Sequence, residues 1–348
     1  MSLKNIALHA SYFGDNFGDT LFVKQYVQYL TENSDVNTTL LFPSKRVLNE
    51  VAGLTKRSGW TGIIKSEAVV FIGGGYFGER KNKKLEWHIR FIYRYISVAL
   101  LALLFRKKIF FVGVGAGPLS FKITRLLVKF VVNKSSGFVA RDEISYDFLL
   151  SIGVKENLLY QSVDSVLGYL FVDEKVDQID RILLHLPLLN AESDSLGSLI
   201  HDLKQSYPEA KFLYFTDFHK PSFKTSVLKE LTSALPDLEI VDYNGVDDTI
   251  DLIKSVDLVV SVKLHVIICA AALGKKVISL FVHQKTQRFL NQLNWSDVGV
   301  QFESIGNSDV SQKLVAKTRD FPYKIPKAAV ELSKRNLVLL DSFIDEAL

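Results

Sequence analysis

Short apolar runs alternate with longer segments of helical periodicity along the chain. Five runs of strand length lie in the first half, IALHAS, TTLLF, AVVFI, IFFVGV and GFVA, and five lie in the second, RILLHL, KFLYF, LEIV, LVVSV and VISLF. Between them, segments such as LFVKQYVQYLTE and ITRLLVKFVV repeat apolar residues every three or four positions, as amphipathic helices do. Continuously apolar strands that alternate with helices are typical of parallel sheets covered on both faces.

Ten strands in a chain of 348 residues divide into two domains. The polar stretch VDEKVDQID separates the two sets of strands. We therefore predict an N-terminal Rossmann-like domain of residues 1–172 and a C-terminal one of residues 173–348 that ends in a long helix. The predicted fold class is α/β, with two doubly wound domains. In such sheets ligands bind beyond the carboxyl ends of the strands, so the loops that follow the strands are the places to seek a function.

The loop after the first strand, GDNFGD, combines two glycines with two carboxylates. Gly14 and Gly18 permit tight turns and a close approach of other groups to the backbone. Asp15 is a candidate base that accepts a proton from a sugar hydroxyl. Asp19 either faces the same site or only caps the helix that follows.

Two further loops of the first half are rich in glycine. GGGYFGE follows AVVFI with Gly73, Gly74 and Gly75, and GAGPLS follows IFFVGV with Gly115 and Gly117. Backbone N–H groups in such loops suit phosphate or sugar binding, and the alternative is an ordinary strand-to-helix turn. Neither loop is a Walker motif or a complete dinucleotide-binding fingerprint.

An arginine follows the last strand of the first half. Arg141 lies directly after GFVA, where its guanidinium can hold a carboxylate or phosphate through two hydrogen bonds. The alternative is an ion pair with the adjacent Asp142 or Glu143. Asp142 is also well placed to cap the next helix, and Asp164 adds a carboxylate near the domain junction.

The second half places further cations at strand ends. Lys263, Leu264 and His265 follow LVVSV, and Lys285 follows VISLF. With Arg141 opposite, these residues predict a cationic cleft for a small, highly charged anion. Histidine adds a group that transfers protons near neutral pH.

Three other residues at strand ends are candidates for contacts with an acceptor. His185 ends RILLHL, and Asp217 and His219 follow KFLYF. Isolated histidines are more often structural than functional, so a structural role stays open for both of them.

Charge is distributed unevenly along the chain. Its formal net charge is +4, but residues 80–134 contain 13 Lys and Arg against one acid, Glu86, so that segment carries +12 and the remainder −8. This favours an anionic partner near the first half, and the alternative is a solvated helix face. Within it, the apolar run YISVALLALLF (95–105) is shorter than the ~20 residues of a bilayer span. We expect a buried helix there, with peripheral membrane contact as the alternative.

Other features of the composition limit the class of protein. The single cysteine, Cys269, lies in an apolar run, and MSLKNIALHASYF lacks the pattern of a signal peptide. A reducing, cytoplasmic location is therefore expected. The chain shows no spacing of metal ligands and no nucleic-acid-binding motif, so neither a metal nor a nucleic acid is expected.

Six stretches, in order over most of the chain, resemble polysaccharide pyruvyl transferases. They are YFGDNFGDTL, AVVFIGGGYF, KKIFFVGVGAGPLS, VARDEISYDFLLSIGV, VDSVL and SVKLHVIICAAALGKKVISLFVHQKT. The resemblance implies a GT-B-like fold, with two Rossmann-like domains facing a cleft. It also implies transfer of pyruvate from phosphoenolpyruvate to a sugar of a cell-surface glycan, as in exopolysaccharide biosynthesis, to form a ketal across two hydroxyls.

The resemblance assigns Arg141 and the segment 263–265 to phosphoenolpyruvate. The family usually carries arginine where this chain has Lys263, which keeps the charge but loses the bidentate geometry. The implied chemistry requires a proton at the vinyl methylene, with His265 as the candidate donor, and attack by an acceptor hydroxyl, with Asp15 as the candidate base. Arg141, Lys263 and Lys285 would hold the anionic groups. Phosphoenolpyruvate is a co-substrate, and no cofactor is implied.

Two other functions remain open. A GT-B glycosyltransferase that uses a nucleotide sugar has the same fold and also needs a cationic cleft. A non-catalytic scaffold of a glycan-assembly complex would tolerate the change at Lys263. The acceptor is expected to be a glycan or its lipid-linked precursor. The basic segment, including Lys81, Lys83 and Lys84, then predicts peripheral association with the inner face of an anionic membrane.

Overall fold

The computed structural model describes residues 4–12, 16–79, 84–186, 193–217, 221–282 and 284–347. The chain divides into two compact units. Unit 1 comprises residues 1–15, 19–169 and 331–348, and unit 2 comprises residues 16–18 and 170–330.

The core of unit 1 is a parallel sheet. Its strands among the described residues are β1 (Lys4–His9), β2 (Val36–Leu41), β3 (Lys56–Ser58), β4 (Ala68–Ile72), β5 (Lys108–Val114), β6 (Gly137–Ala140) and β7 (Leu159–Gln161). They lie in the order β3-β2-β1-β4-β5-β6-β7, so the winding reverses between β1 and β4. Every residue of β4 and β6 is buried, as expected for strands covered on both faces.

Helices connect these strands in the crossover manner that parallel pairing requires. They are α1 (Phe17–Asn33), α2 (Lys45–Glu50), α3 (Trp60–Lys65), α4 (Lys84–Phe91), α5 (Ser97–Leu104), α6 (Lys122–Asn133), α7 (Glu143–Ser151) and α8 (Ser165–Leu170). A π-helical turn, Ile92–Ile96, joins α4 to α5 without a break.

Unit 2 repeats the same architecture with a smaller sheet. Its described strands are β8 (Arg181–His185), β9 (Lys211–Thr216), β10 (Glu239–Asp242), β11 (Leu258–Ser261), β12 (Lys276–Phe281) and β13 (Gly299–Gln301), in the order β10-β9-β8-β11-β12-β13. Its helices are α9 (Ser193–Ser206), α10 (Pro221–Ala234), α11 (Val246–Lys254), α12 (Leu264–Ala272), α13 (Gln284–Gln292) and α14 (Ser308–Asp320). Here the winding reverses between β8 and β11.

The last helix, α15 (Lys327–Ala347), returns to unit 1. The ring of Phe343 stacks on Phe110 of β5 with centroids 4.8 Å apart. The amide of Asn336 donates to the carbonyl of Val163 at 2.8 Å and accepts from the hydroxyl of Ser162 at 3.1 Å. The sequence pattern assigns all of 173–348 to the second domain, whereas these contacts attach residues 331–347 to the first.

The apolar run 95–105 is only half buried. Tyr95, Ile96, Val98, Ala99 and Ala102 lie in the core of unit 1. The prediction of a buried helix is therefore right for one side of this segment, and its other side is exposed. One side of the helix packs on the core, whereas Leu100, Leu104 and Phe105 on the remaining surface are exposed.

A buried histidine lies beneath the π-helical turn. His9, at the end of β1, is fully buried, with Nε2 2.9 Å from the carbonyl of Arg94 and Nδ1 3.3 Å from the carbonyl of Leu41. Burial lowers the pKa of His9 to about 4, although both carbonyl contacts favour the protonated ring. His9 therefore stays neutral at physiological pH.

Candidate functional site

The winding of unit 2 reverses where β8 and β11 lie side by side. Such a reversal leaves a crevice at the carboxyl ends of the two strands, which is where α/β proteins bind ligands. Ser261, the last residue of β11, pairs in register with His185, the last residue of β8. The segment 263–265 begins two residues beyond Ser261, so the cations predicted from the sequence lie at this point of the fold.

Three buried side chains form a connected chain at the end of these strands. Nδ1 of His185 lies 2.9 Å from the hydroxyl of Ser261, and its Nε2 lies 3.4 Å from a carboxylate oxygen of Asp217. The ring of His185 therefore joins the hydroxyl of Ser261 to the carboxylate of Asp217. His185 and Ser261 are fully buried, and Asp217 is 4% exposed.

The ionised state of Asp217 is stabilised by its surroundings. Burial by itself raises the pKa of Asp217, but His185, the backbone N–H of Phe17 and the charge of Lys263 together bring it below the usual value. The N–H of Phe17 donates to the second carboxylate oxygen at 3.0 Å. Phe17 is the first residue of α1, so Asp217 accepts from a donor that helix geometry leaves without a partner inside the helix.

The same chain of residues fixes the backbone before α12. The N–H of Lys263 donates to the Ser261 hydroxyl at 3.0 Å. Lys263 is the N-cap of α12 with extended backbone angles, φ −107° and ψ 129°, and its side chain makes no capping hydrogen bond. Lys263 and His265 are partly exposed, whereas Leu264 is buried and anchors the turn.

His265 lies directly on Gly18. A Cβ placed on Gly18 would be 1.8 Å from Nδ1 of the imidazole and 2.3 Å from Cγ, so no larger residue fits without moving the ring. Both residues belong to unit 2. Asp19 lies within the first turn of α1, which begins at Phe17, and so it is not the N-cap. There its carboxylate is stabilised by the positive end of the helix dipole.

In unit 1, the guanidinium of Arg141 lies between the two glycine-rich loops. A Cβ on Gly115 would be 2.8 Å from Nη2 of Arg141, and one on Gly75 would be 3.1 Å from it. Nη1 is 3.8 Å from the carboxylate of Asp164, and Arg141 is 7% exposed. Its acidic partner is thus Asp164 and not the adjacent Asp142 or Glu143.

Asp142 has a different role. It is the N-cap of α7, as predicted, and its carboxylate accepts from the N–H of Ser145 at 2.7 Å. The Ser145 hydroxyl in turn accepts from the N–H of Ala116 at 2.9 Å, which ties α7 to the second glycine-rich loop.

The glycine-rich loops use several of their N–H groups on each other. Gly115 donates to the carbonyl of Gly74 at 2.9 Å, and Gly117 donates to that of Phe77 at 2.9 Å. Gly73 donates to Val112 at 2.9 Å. The N–H of Gly73 is thus used within the sheet, so it is not a donor for a phosphate, and those of Gly115 and Gly117 hold the two loops together. The assignment of these glycines to a ligand-binding cleft stays a prediction.

One network in unit 1 was not apparent from the sequence. The carboxylate of Glu79 accepts from the backbone N–H and the hydroxyl of Ser120, each at 2.7 Å, and lies 3.0 Å from Nε2 of His88. Nδ1 of His88 lies 2.9 Å from the hydroxyl of Thr124. This network joins the first glycine-rich loop to α4 and α6. The only hint of this network in the sequence was Glu79, the acidic residue that ends GGGYFGE.

The remaining predicted residues are placed as follows. Lys285 is exposed and is the second residue of α13. Gly14, Asp15 and His219 lie outside the described residues. His185 and Asp217, predicted as acceptor contacts, are buried and joined to each other, which favours a supporting role for both. Ser261, the residue that connects them to Lys263, was overlooked because a serine ending a strand carries no distinctive pattern.

Comparison with solved structures supports the fold. The chain is similar to UDP-GlcNAc 2-epimerase from Neisseria meningitidis, with a TM-score of 0.66 and 12% identity over 99% of this chain and 100% of that one. It is also similar to UDP-GlcNAc 2-epimerase from Methanocaldococcus jannaschii, with a TM-score of 0.65 and 14% identity over 98% and 100% of the two chains. At these identities the likeness concerns the fold alone. The predicted class, two Rossmann-like units of GT-B type, is confirmed.

Comparison of sequences gives the family. No curated protein matches the chain. Within the described ranges, no group of three or more His, Cys, Asp or Glu side chains is arranged to hold a metal ion. The family model for polysaccharide pyruvyl transferase matches residues 16–282, which is more than three quarters of the chain. The resemblance seen in the six sequence motifs is thereby confirmed, and the chain belongs to the polysaccharide pyruvyl transferase family.

Proposed function

We propose that the protein transfers pyruvate from phosphoenolpyruvate to two hydroxyls of a sugar in a glycan or its lipid-linked precursor, with release of phosphate. Membership of the family makes the protein a transferase. The observation that carries the finer assignment is the turn 263–265. A lysine and a histidine there are held at the strand reversal of unit 2 by the buried chain Ser261–His185–Asp217.

The turn has the properties of an anion site. Lys263 contributes a positive charge, which lowers the pKa of the nearby Asp217. The first backbone N–H groups of α12 lie beside it, at the end of a helix where anions are favoured. Phosphoenolpyruvate carries a carboxylate and a phosphate and so suits such a site. Lysine in place of the family's usual arginine preserves the charge but cannot form a bidentate contact.

The reaction can be written in two balanced steps. In the first, the vinyl methylene of phosphoenolpyruvate gains a proton, a sugar hydroxyl forms a bond to the adjacent carbon, and that hydroxyl loses its proton. In the second, a neighbouring hydroxyl of the sugar attacks the same carbon, the bond to the phosphate oxygen breaks, and phosphate leaves with the second proton. The products are a cyclic ketal and inorganic phosphate.

His265 is the proton donor in this proposal. It is partly exposed, lies in the first turn of α12 and is confined by Gly18. An imidazole in a fixed position transfers protons near neutral pH and contributes about 10²–10⁴-fold to a rate. Asp15 is proposed as the base for the acceptor hydroxyl from its place in the motif GDNFGD. In unit 1, Arg141 is the proposed contact for an anionic group of the donor.

Ligand binding separates this function from its alternative. Thermal unfolding is measured with phosphoenolpyruvate, with UDP and with GDP, because a ligand that binds only the folded protein raises Tm. Stabilisation by phosphoenolpyruvate alone is expected. Stabilisation by UDP or GDP alone would instead favour a nucleotide-sugar enzyme. The UDP-GlcNAc bound to the N. meningitidis neighbour motivates this alternative hypothesis.

Turnover tests the chemistry itself. The protein is incubated with phosphoenolpyruvate and a panel of nitrophenyl and lipid-linked glycosides, and phosphate release is measured together with the mass of the pyruvylated sugar. His265→Gln should lower turnover at least 100-fold. The exposed His201, on α9 of the same unit, provides the matched control His201→Gln, which should keep full activity. Near-normal turnover of His265→Gln would remove His265 from the chemistry.

A further inference from the structure

Exposed apolar side chains are concentrated in one part of the chain. Among the described residues, eighteen large apolar side chains are exposed, and ten of them lie between positions 85 and 130. Scattered apolar residues on a surface need no explanation, but a concentration of them marks an interaction site.

These side chains project from two neighbouring helical segments. The segment from α4 to α5 and the helix α6 pack on one apolar core of unit 1, through residues that include Phe91, Tyr95 and Val128. Their outward surfaces carry six exposed side chains, which we call the docking face: Leu85, Ile89, Tyr93, Ile123, Leu126 and Phe130. Tyr93 is 69% exposed and Leu126 is 60% exposed. Spacings of three and four residues place each set on one side of its helix.

The segment that carries the docking face is strongly basic. Residues 84–134 include ten Lys and Arg and a single acid, Glu86, which forms an ion pair with Arg90. On α6, Lys122 is exposed, and Arg125 and Lys129 are partly exposed beside the apolar positions. Long basic side chains can lay their apolar stems along such a surface while their charges remain in contact with an anionic layer.

We propose that the docking face binds the surface of an anionic lipid bilayer. The apolar side chains enter the boundary between headgroups and acyl chains, and the surrounding cations contact acidic headgroups, as in amphipathic helices that lie on membranes. Charge complementarity selects this occupant. A second copy of the chain, joined through the same face by twofold symmetry, would place this net positive surface against itself.

The helix lies on the membrane in this proposal and does not cross it. By length and composition alone, Leu85–Leu104 would be long and apolar enough to span a bilayer. However, Phe91, Tyr95, Ile96 and Ala99 of this segment are buried in the core of unit 1. Crossing would remove them from that core.

The docking face is linked to a glycine-rich loop. His88 of α4 and Thr124 of α6 both belong to the network that reaches Glu79, at the end of the first glycine-rich loop. Bilayer contact through these helices would therefore keep that strand-end loop close to the lipid surface. This suits an acceptor carried on a lipid, whatever the donor.

Flotation with vesicles tests the proposal. The full chain is mixed with vesicles of phosphatidylcholine alone or with about 30 mol% phosphatidylserine, at low and at high salt. Flotation is expected with the anionic vesicles at low salt and should weaken as salt rises. Replacing Lys122, Arg125 and Lys129 together by Gln should lower the partition coefficient about 100-fold at low salt. Replacing Leu85, Ile89 and Tyr93 together by Gln should lower it at least 10-fold at both salt concentrations.

Matched controls come from other exposed positions. The triple change of Leu54, Ile240 and Val338 to Gln removes three exposed apolar side chains elsewhere. The triple change of Lys65, Lys211 and Lys327 to Gln removes three other exposed lysines. Both controls should float like the wild type, and circular dichroism should show that all variants are folded. The proposal is overturned if the wild type stays in the soluble fraction, or if the controls lose as much binding as the test variants. It is also overturned if light scattering without lipid shows a dimer that the apolar variant dissociates, because the occupant is then a second copy.

Discussion

The imidazole of His265 occupies the space that a side chain at position 18 would fill. With only hydrogen atoms on the Cα of Gly18, the ring approaches so closely that an added Cβ would lie 1.8 Å from Nδ1. This contact explains why a glycine stands in the first turn of α1, where its conformational freedom is a disadvantage. It also makes the position of His265 dependent on a residue 247 places earlier in the chain.

Gly18→Ala should therefore displace His265. Alanine favours the helix by about 0.5–1 kcal/mol, but the new methyl group forces the imidazole away. We expect a loss of at least 10-fold in pyruvyl transfer, measured by phosphate release, because a shift of about 1 Å can cost two orders of magnitude in rate. Gly197 of α9 is a matched control, since a Cβ there meets no atom within 4 Å. Gly197→Ala should be fully active and slightly more stable. Equal activity of the two variants would show that the ring position is not important for turnover.

Asp217→Asn should weaken the turn that holds Lys263. The ionised carboxylate is paired with His185 and with the N–H of Phe17, and its removal should cost about 1–3 kcal/mol in the free energy of unfolding. The pKa of Asp217 is lower in the folded state, so its contribution is present above the unfolded value of about 4 and is lost as the pH falls further. Urea unfolding should show the largest difference from wild type at neutral pH and a shrinking difference below about pH 4.

A variant at a second buried carboxylate is the control that distinguishes a loss of stability from a loss of donor binding. Asp202 of α9 is also buried and bonds to the hydroxyl of Ser311. Asp202→Asn should destabilise unit 2 while leaving the KM for phosphoenolpyruvate unchanged, whereas Asp217→Asn should raise it. If both variants raise KM equally, Asp217 has no specific influence on the donor site.

Arg141→Lys keeps the charge beside Asp164 but removes the planar fork of donors. We expect the KM for phosphoenolpyruvate to rise about tenfold, with a smaller change in the KM for the acceptor. The loss in unfolding free energy should be small, because lysine keeps a positive charge beside the buried carboxylate of Asp164. Steady-state kinetics and thermal unfolding measure the two effects. An unchanged donor KM with a lowered Tm would mean that Arg141 serves only its pair with Asp164.

His9 should make unit 1 sensitive to moderate acid. Its folded pKa of about 4 lies below the unfolded value of about 6.5, so the unfolded state binds more protons between these values. The free energy of unfolding has its full value above about pH 6.5, and it falls by roughly 3 kcal/mol as the pH approaches 4. Urea unfolding between pH 7 and 4.5 should show this decline. His9→Asn should flatten it, whereas His201→Gln, at an exposed position, should not. A decline of the same size in His9→Asn would assign the acid sensitivity to other groups.

The long strands could be predicted because both faces of each are buried. AVVFI and GFVA are apolar at every position, and they became β4 and β6. Three short strands were missed: β3, β7 and β13, with the sequences KRS, LYQ and GVQ. Each lies at a sheet edge, where one neighbour supplies the hydrogen bonds and little apolar surface is required. Their existence depends on the adjacent strand, so three residues carry too little local pattern to reveal them.

Part of the candidate site could also be predicted from the sequence. The strand-end rule located Lys263 and His265, because winding reversals place such residues at the carboxyl edge. The partners of these residues could not be predicted. The contact of Asp217 with Phe17 and that of His265 with Gly18 join positions about 200 or more residues apart. Such pairs depend on the tertiary arrangement and leave no periodic signal in the sequence.

The return of α15 to unit 1 has a consequence for synthesis on the ribosome. Residues 170–330 are translated between the main body of unit 1 and the helix that completes it. At about 5–20 residues per second, those 161 residues take roughly 8–32 s. During that interval Phe110 of β5 lacks the covering ring of Phe343, and Ser162 lacks Asn336. Unit 1 is thus the first to begin folding and the last to finish, and the nascent chain exposes an apolar strand surface throughout the synthesis of unit 2.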